Sequence, residues 1–330
     1  MERVATQMSK RPAEGGVLPP YARIVDDRRS AWRRFRTNLM LRLTAKRQMS
    51  AHADVAHLRE SWAAFDAKFG SVDPEARRTP ADCGDVAAEW IEVPETRSGR
   101  VLLYFHGGAF MFRLPATHAG LAARWCRRLG ARTLMVDYRL APEHPFPAAA
   151  DDCHASYRWL LAQGCNAGDI VIGGDSAGAN LALVTLLRVK AAGEPMPACA
   201  VLMSPFVDFT LSGRSLVTNE ARDPMFTLAG IALSRGLYAP PERYLDTSVS
   251  PLFADFSGLP PLLFQAGSTE MLLDESMRAA ARADACGVPV ELEIWRDMPH
   301  VFQAMPALPQ SEAATDSIVR FIGARAGWVQ

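Results

Sequence analysis

Neither sign of charge dominates this 330-residue chain: 36 Lys and Arg face 36 Asp and Glu. A protein that must neutralise phosphates needs a basic excess, so nucleic acid is not an expected partner. No apolar run reaches the ~18 residues that a bilayer span requires. The opening MERVATQMSKRP has no apolar stretch behind its charges, so no secretory signal is read there and a cytoplasmic location is expected. Cysteine is scattered. Cys83, Cys126, Cys153, Cys165, Cys199 and Cys286 form no C-x-x-C pair, which speaks for reduced, buried thiols and against a disulfide framework or a zinc site. Internal repeats and low-complexity stretches are missing too. With 49% hydrophobic and 22% charged residues, disorder, collagen and coiled coil are excluded.

What is present divides the chain. Residues 1–20 are polar with Pro and Gly and read as a loose tail. Residues 21–49 interleave Arg23, Arg28, Arg29, Arg33, Arg34, Arg36, Arg42, Lys46 and Arg47 with Trp32, Phe35, Leu39 and Leu43. The 32, 35, 39, 43 spacing is helical. The expected fate of this basic amphipathic helix is packing on the domain surface. Membrane-surface binding is the sharper alternative, but no membrane partner is expected, since solvated charge is the usual role of such faces. Residues 54–70 form a second helix ended by Gly70. The whole of 21–75 is read as an N-terminal helical cap.

From residue 76 to 330 the pattern is that of one catalytic domain. Apolar runs at 88–93, 101–105, 133–138, 169–174, 199–204, 261–267 and 290–295 alternate with helical stretches near 116–129, 148–163, 177–192, 274–286 and 311–324. Such alternation gives an α/β fold with a mostly parallel sheet covered on both faces. It breaks between about 205 and 258, where turn signals and aromatics suggest a cap insertion at about 208–250.

Gly174-Asp175-Ser176-Ala177-Gly178 is the chain's one G-x-S-x-G. It follows the run DIVIGG and precedes a good helix, so Ser176 sits on a sharp strand-to-helix turn with its hydroxyl pushed outward at a helix N-terminus. A hydroxyl nucleophile needs a base. Of seven histidines only His300 follows Ser176, in the loop after VELEIW. The orienting carboxylate is expected just past a strand end, which favours Glu270 after PLLFQAG. Asp274, one turn later, stays open as the alternative acid, and Asp208 is possible on order alone. VLLYF runs into His106-Gly107-Gly108-Ala109-Phe110, where residues without side chains let backbone amides approach an oxyanion. Gly107, Gly108 and Ala177 are assigned as donors. His106 and Asp175 are read as support for the motif.

These stretches, with Y-F-H-G-G-A-F (104–110), V-D-Y-R-L-A-P-E-H-P-F-P-A-A (136–149), S-P-F-V-D (204–208), G-S-T-E-M-L-L-D-E (267–275) and M-P-H-V-F (298–302), resemble the hormone-sensitive-lipase-like (bacterial family IV) esterases. The resemblance covers about residues 85–325. It implies the α/β-hydrolase fold, a mostly parallel eight-stranded sheet flanked by helices, with a helical cap from the N-terminus and an insertion. It also implies a serine carboxylesterase acting on short-chain acyl esters, with Ser176, Glu270 and His300 as triad and no cofactor. Two departures stand out: Ala109 replaces the third Gly of H-G-G-G, and E-M-L-L-D-E replaces D-P-L-x-D-E, which keeps Asp274 in play. The acyl pocket is expected to be apolar, with Phe110, Phe112, Phe206, Phe209, Phe35 and Met40 as walls. Two rivals share the machinery or the fold: an amide or lactone hydrolase of the N-acetyl deacetylase type, and a non-catalytic ligand binder, which His300 argues against. By analogy, two copies could pair through the edge strand VELEIW as a homodimer.

Overall fold

The computed structural model describes residues 18–48, 54–70 and 73–328. Its elements run in the order β1 (Ala22–Val25), α1 (Ala31–Leu43), α2 (Ala45–Gln48), α3 (Val55–Phe69), β2 (Arg77–Asp82), β3 (Ala87–Glu92), β4 (Val101–Phe105), α4 (Pro115–Leu129), β5 (Arg132–Val136), α5 (Ala148–Ala162), β6 (Ile170–Asp175), α6 (Ala177–Ala192), β7 (Cys199–Met203), α7 (Ser215–Thr218), α8 (Leu228–Tyr238), β8 (Leu262–Gly267), α9 (Leu273–Ala285), β9 (Val290–Trp295) and α10 (Pro309–Ala326).

The strands form one sheet in the order β1-β9-β8-β7-β6-β4-β5-β3-β2. Pairing is parallel from β1 to β5 and antiparallel at β3 and β2. Every residue of β4, β6, β7 and β8 is buried, because helices lie on both faces. Alternate side chains divide between two cores. Leu103, Phe105, Ile172 and Phe264 pack with residues of α5, α6 and α9. Leu102, Tyr104, Val171 and Leu263 pack with residues of α4 and α10.

Among the described residues the sheet has nine strands rather than the expected eight. β2 is an edge strand, RRTPAD, with almost no apolar signal. Its Arg78 pairs with Glu89 across the ladder at 2.8 Å, and Pro80 is tolerated because an edge leaves amides unpaired. β1 is only four residues long and lies within the stretch read as basic helix. Its backbone covers the open edge of β9, with Leu292 N donating to Tyr21 O at 2.8 Å and Arg296 N to Val25 O at 3.0 Å. VELEIW is therefore not an edge, and the expected pairing of two copies through it meets β1 instead. The tail read over residues 1–20 lies outside the described residues up to position 17.

Helices α1 and α3 stand at the carboxyl ends of the strands. Leu41, Ala45, Leu58 and Trp62 meet Met111 and Phe112 in a small separate core. Polar ties fix these helices. Arg59 donates to Met111 O at 2.8 Å and to both Glu143 oxygens at 2.7 Å. Asp66 accepts from Ala116 N and Thr117 N at the start of α4. Arg42 donates to Ala221 O at 3.0 Å and Arg222 O at 2.7 Å, which joins α1 to residues 208–250, a stretch without a strand. The apolar stripe of α1 does not pack on the domain as expected: Trp32, Phe35, Leu39 and Leu43 face solvent.

Candidate functional site

Ser176 ends β6 and starts α6 with φ 54° and ψ −118°, a left-handed conformation that costs a non-glycine residue energy unless the surroundings enforce it. They do so here. Ser176 N donates to Met203 O at 2.8 Å, and Asn180 N donates back to Ser176 O at 3.2 Å. Gly178 is required because a Cβ there would lie 1.9 Å from the carbonyl oxygen of Phe105. The close approach of α6 to β4 thus dictates the second glycine of the motif, and the turn sets the buried Ser176 at the positive end of α6.

His300 lies in the loop after β9. Its Nδ1–H donates to Glu270 Oε2 at 2.9 Å, which leaves Nε2 as the acceptor nitrogen. That Nε2 is buried and has no partner among the described residues. The other oxygen of Glu270 accepts from Ser204 Oγ at 2.8 Å and from Gly267 N. Three further bonds lock the Glu270 and His300 loops. Thr269 Oγ1 donates to Met298 O at 2.8 Å, Asp297 N to Ser268 Oγ at 2.9 Å, and Asn219 Nδ2 to Glu270 O at 2.8 Å. The ring of Phe226 stands edge-on to His300 with centroids 4.7 Å apart.

Asp274 is not beside His300. It accepts from Ser215 N at 3.1 Å in the insertion, because one helical turn past Glu270 points its side chain away from the β9 loop. Asp208 is equally remote in role: it accepts from Thr210, Ser212 and Arg278. Ser204, Asn219 and Thr269 were not singled out from sequence. The S-P-F-V-D stretch carried a signal for the first of them, but no role could be read from it.

The loop after β4 is built around Asp175. Its Oδ1 accepts from Gly107 N at 2.9 Å and from Tyr104 Oη at 2.7 Å, and His118 Nε2 lies 3.2 Å away. Burial alone would raise this carboxyl, but the His118 imidazole and the converging donors outweigh it and hold Asp175 below the usual carboxylate range. For His118 too, burial opposes charge and Asp175 overcomes it, so its pKa is raised. His106 goes the other way: burial first, then repulsion from His118, push it down to about 3. It is a neutral brace, stacked on Tyr138 at 4.2 Å, and the Tyr138 hydroxyl donates to His106 O at 2.7 Å.

This arrangement corrects one assigned donor. The Gly107 amide is consumed by Asp175, and a Cβ on Gly107 would lie 2.1 Å from that carboxylate. The amides of Gly108, Ala109 and Ala177 meet no acceptor among the described residues. Ala109, with φ 54°, thus presents a free N–H where Gly107 does not.

Ser176, His300, Gly108 and Ala109 line one cavity of about 350 Å³. Its walls are mostly apolar: Met40, Trp62, Phe65, Phe112, Met225 and Phe226. Of the six expected wall residues, Met40 and Phe112 are there. Phe110 is buried behind the loop, stacked on Tyr238 at 3.8 Å. Phe206 and Phe209 stack on each other at 4.6 Å in the main core, and Phe35 is exposed. Trp62, stacked on Phe112 at 5.1 Å, was missed, although the helical spacing of Trp62, Phe65 and Phe69 already marked one face of α3. No helix among the described residues is long and apolar enough to cross a membrane.

The model of the α/β hydrolase fold family matches residues 102–304. An acetyl-hydrolase of Streptomyces hygroscopicus is 38% identical over 245 residues, covering 74% of this chain and 82% of its own. An esterase of Acinetobacter venetianus is 38% identical over 257 residues, covering 76% and 82%. The crystal structure of an esterase from the bacterial hormone-sensitive lipase family is similar with a TM-score of 0.84 at 37% identity, over 89% of this chain and 98% of that one. The chain belongs to the α/β-hydrolase family, among its hormone-sensitive-lipase-like esterases, and is a carboxylic ester hydrolase.

Proposed function

We propose that this hydrolase cleaves short-chain acyl esters through a Ser176–His300–Glu270 triad and an acyl-enzyme. The carrying observation is the free, buried Nε2 of His300, in the cavity shared with Ser176, on a ring whose Nδ1–H is held by Glu270 at 2.9 Å. His300 takes the Ser176 proton as the hydroxyl attacks the ester carbonyl, then returns it to the leaving alcohol. Glu270 holds the ring in the productive tautomer and supports the imidazolium. The amides of Gly108, Ala109 and Ala177 receive the oxyanion, aided by the N-terminus of α6. Water repeats the sequence and frees the acid.

Substrate size follows from the walls. A cavity of about 350 Å³ lined by Trp62, Phe112 and Phe226 stands at the small end of ligand pockets and favours small acyl groups; chains of about four to six carbons are the length that the family resemblance implies. That the Streptomyces relative is an acetyl-hydrolase supports a short acyl group. The test is a chain-length series of nitrophenyl esters with kcat/KM read for each. The expected profile peaks at the short chains and falls for long ones; a profile that rises steadily with chain length contradicts the reading.

A further inference from the structure

Helix α1 packs Met40 and Leu41 inward and turns a second apolar stripe outward. Trp32, Phe35, Leu39 and Leu43 follow one another at about one-turn intervals on one stripe, and they are 67%, 56%, 43% and 50% exposed. Leu41 is the one buried residue of the helix. An amphipathic helix of a soluble domain normally buries such a stripe. Of the seven large hydrophobics exposed among the described residues, four stand on this stripe, and Phe69 is on the rim of the cavity. Trp32 and Phe35 stack at 5.6 Å, Leu39 and Leu43 line one groove, and exposed apolar surface gathered in this way marks an interaction site.

The charge on the helix itself has one sign, although Asp26 and Asp27 pair with Arg28 and Arg29 just before it and Asp297 lies in a groove with Phe35. Residues 28–48 hold eight Arg or Lys and no Asp or Glu. Some are used within the protein, as Arg42 and Lys46 are on carbonyls of the insertion. Arg33, Arg36 and Arg47 are exposed and have no partner among the described residues. The stripe also adjoins the candidate site. Thr37 and Met40 line the Ser176 cavity on one side and, on the other, an open groove that includes Arg33, Arg36, Leu39 and Leu43.

We propose that α1 is an interfacial docking helix that seats the chain on an anionic lipid surface, with the mouth of the Ser176 cavity turned toward that surface. Trp32, Phe35, Leu39 and Leu43 enter the headgroup–acyl boundary, and the arginines meet the anionic headgroups. A second copy of this chain is a poor occupant, because two such faces brought together oppose like charges with no acid between residues 28 and 48 to relieve them. Docking is read from binding alone, so it stands or falls independently of the triad.

The experiment is co-sedimentation of the full chain with phosphatidylcholine vesicles and with phosphatidylcholine–phosphatidylglycerol vesicles, at low and high salt. The expected result is pelleting with the anionic vesicles, weakened by salt, and little with phosphatidylcholine alone. Arg33→Gln/Arg36→Gln is expected to lower partitioning roughly tenfold or more. Trp32→Gln/Phe35→Gln is expected to lower it at least as far. Both double variants should keep wild-type turnover of a water-soluble nitrophenyl ester, which also shows that they fold. Three results overturn the proposal: a chain that stays in the supernatant with both vesicle types, partitioning that neither pair alters, or a dimer in sedimentation equilibrium that Trp32→Gln/Phe35→Gln dissociates, which gives the face to a second copy.

Discussion

His300 Nδ1 donates to Glu270 Oε2 at 2.9 Å, while Ser204 Oγ and Gly267 N hold the second oxygen of the same carboxylate. That carboxylate is thus fixed on both sides, as its proposed role of orienting His300 requires. Asp274, which shares the acid-rich stretch, serves Ser215 instead. Glu270→Gln should lower kcat by about 10³–10⁴-fold through loss of the tautomer-setting acceptor. Asp274→Asn should change kcat by no more than about threefold, as expected for a group outside the reacting set. Steady-state kinetics of the two variants on one ester check this. Equal losses would return the acid assignment to open choice.

The Gly107 amide is spent on Asp175, which gives Asp175 a positioning role for the loop proposed to bind the oxyanion. Asp175→Ala leaves that amide and the Tyr104 hydroxyl unpaired. It should lower kcat by about 10²-fold, the scale of one misplaced oxyanion donor, with little change in KM. Asp175→Asn keeps an acceptor oxygen and should recover much of the loss. A KM effect without a kcat effect, or an Asn variant as poor as Ala, would contradict this role.

Wall and core aromatics should separate cleanly. Trp62 lines the cavity and Phe209 does not. Trp62→Ala should shift the chain-length optimum toward longer acyl groups. Phe209→Ala should keep the optimum and cost about 3–5 kcal/mol of stability, the range for a buried Phe. The chain-length series and thermal melts of both variants test the pair.

Glu275 carries the clearest pH signature. Burial, then repulsion from Asp208, raises its carboxyl well above the usual range. One oxygen accepts from Val207 N and Asp208 N, and the other has no partner among the described residues. The folded chain therefore keeps a proton that the unfolded chain gives up above its ordinary value of 4.5. Its contribution is complete below that pH and is lost as pH rises toward the folded value. Melting temperatures of wild type and Glu275→Gln between about pH 5 and pH 9 should diverge, with the variant falling less on the alkaline side. Parallel curves would exclude this cause.

Much of the fold was legible because buried parallel strands are apolar throughout and their helices keep a 3.6 period; VLLYF, DIVIGG and CAVLMS needed no tertiary knowledge. β2 was not legible, since an edge strand such as RRTPAD owes its conformation to pairing with β3 and carries no apolar alternation. β1 was hidden because four residues beside a basic helix give no period to read. Ser176, His300 and Glu270 could be picked out because chain order and strand ends constrain them. The donor shift from Gly107 to Ala109 could not, because it depends on where the Asp175 oxygen points. The cavity walls were also beyond reach. Phe110, Phe206 and Phe209 are aromatic for the core's sake, and nothing in their spacing separates that from a pocket lining.

The most direct measurement is turnover of nitrophenyl butyrate by wild type and by Ser176→Ala at matched fold content. Loss of the nucleophile should lower kcat by about 10⁴-fold or more, leaving only what the oxyanion amides and binding supply. Turnover by Ser176→Ala within a few-fold of wild type would contradict the triad and the acyl-enzyme together.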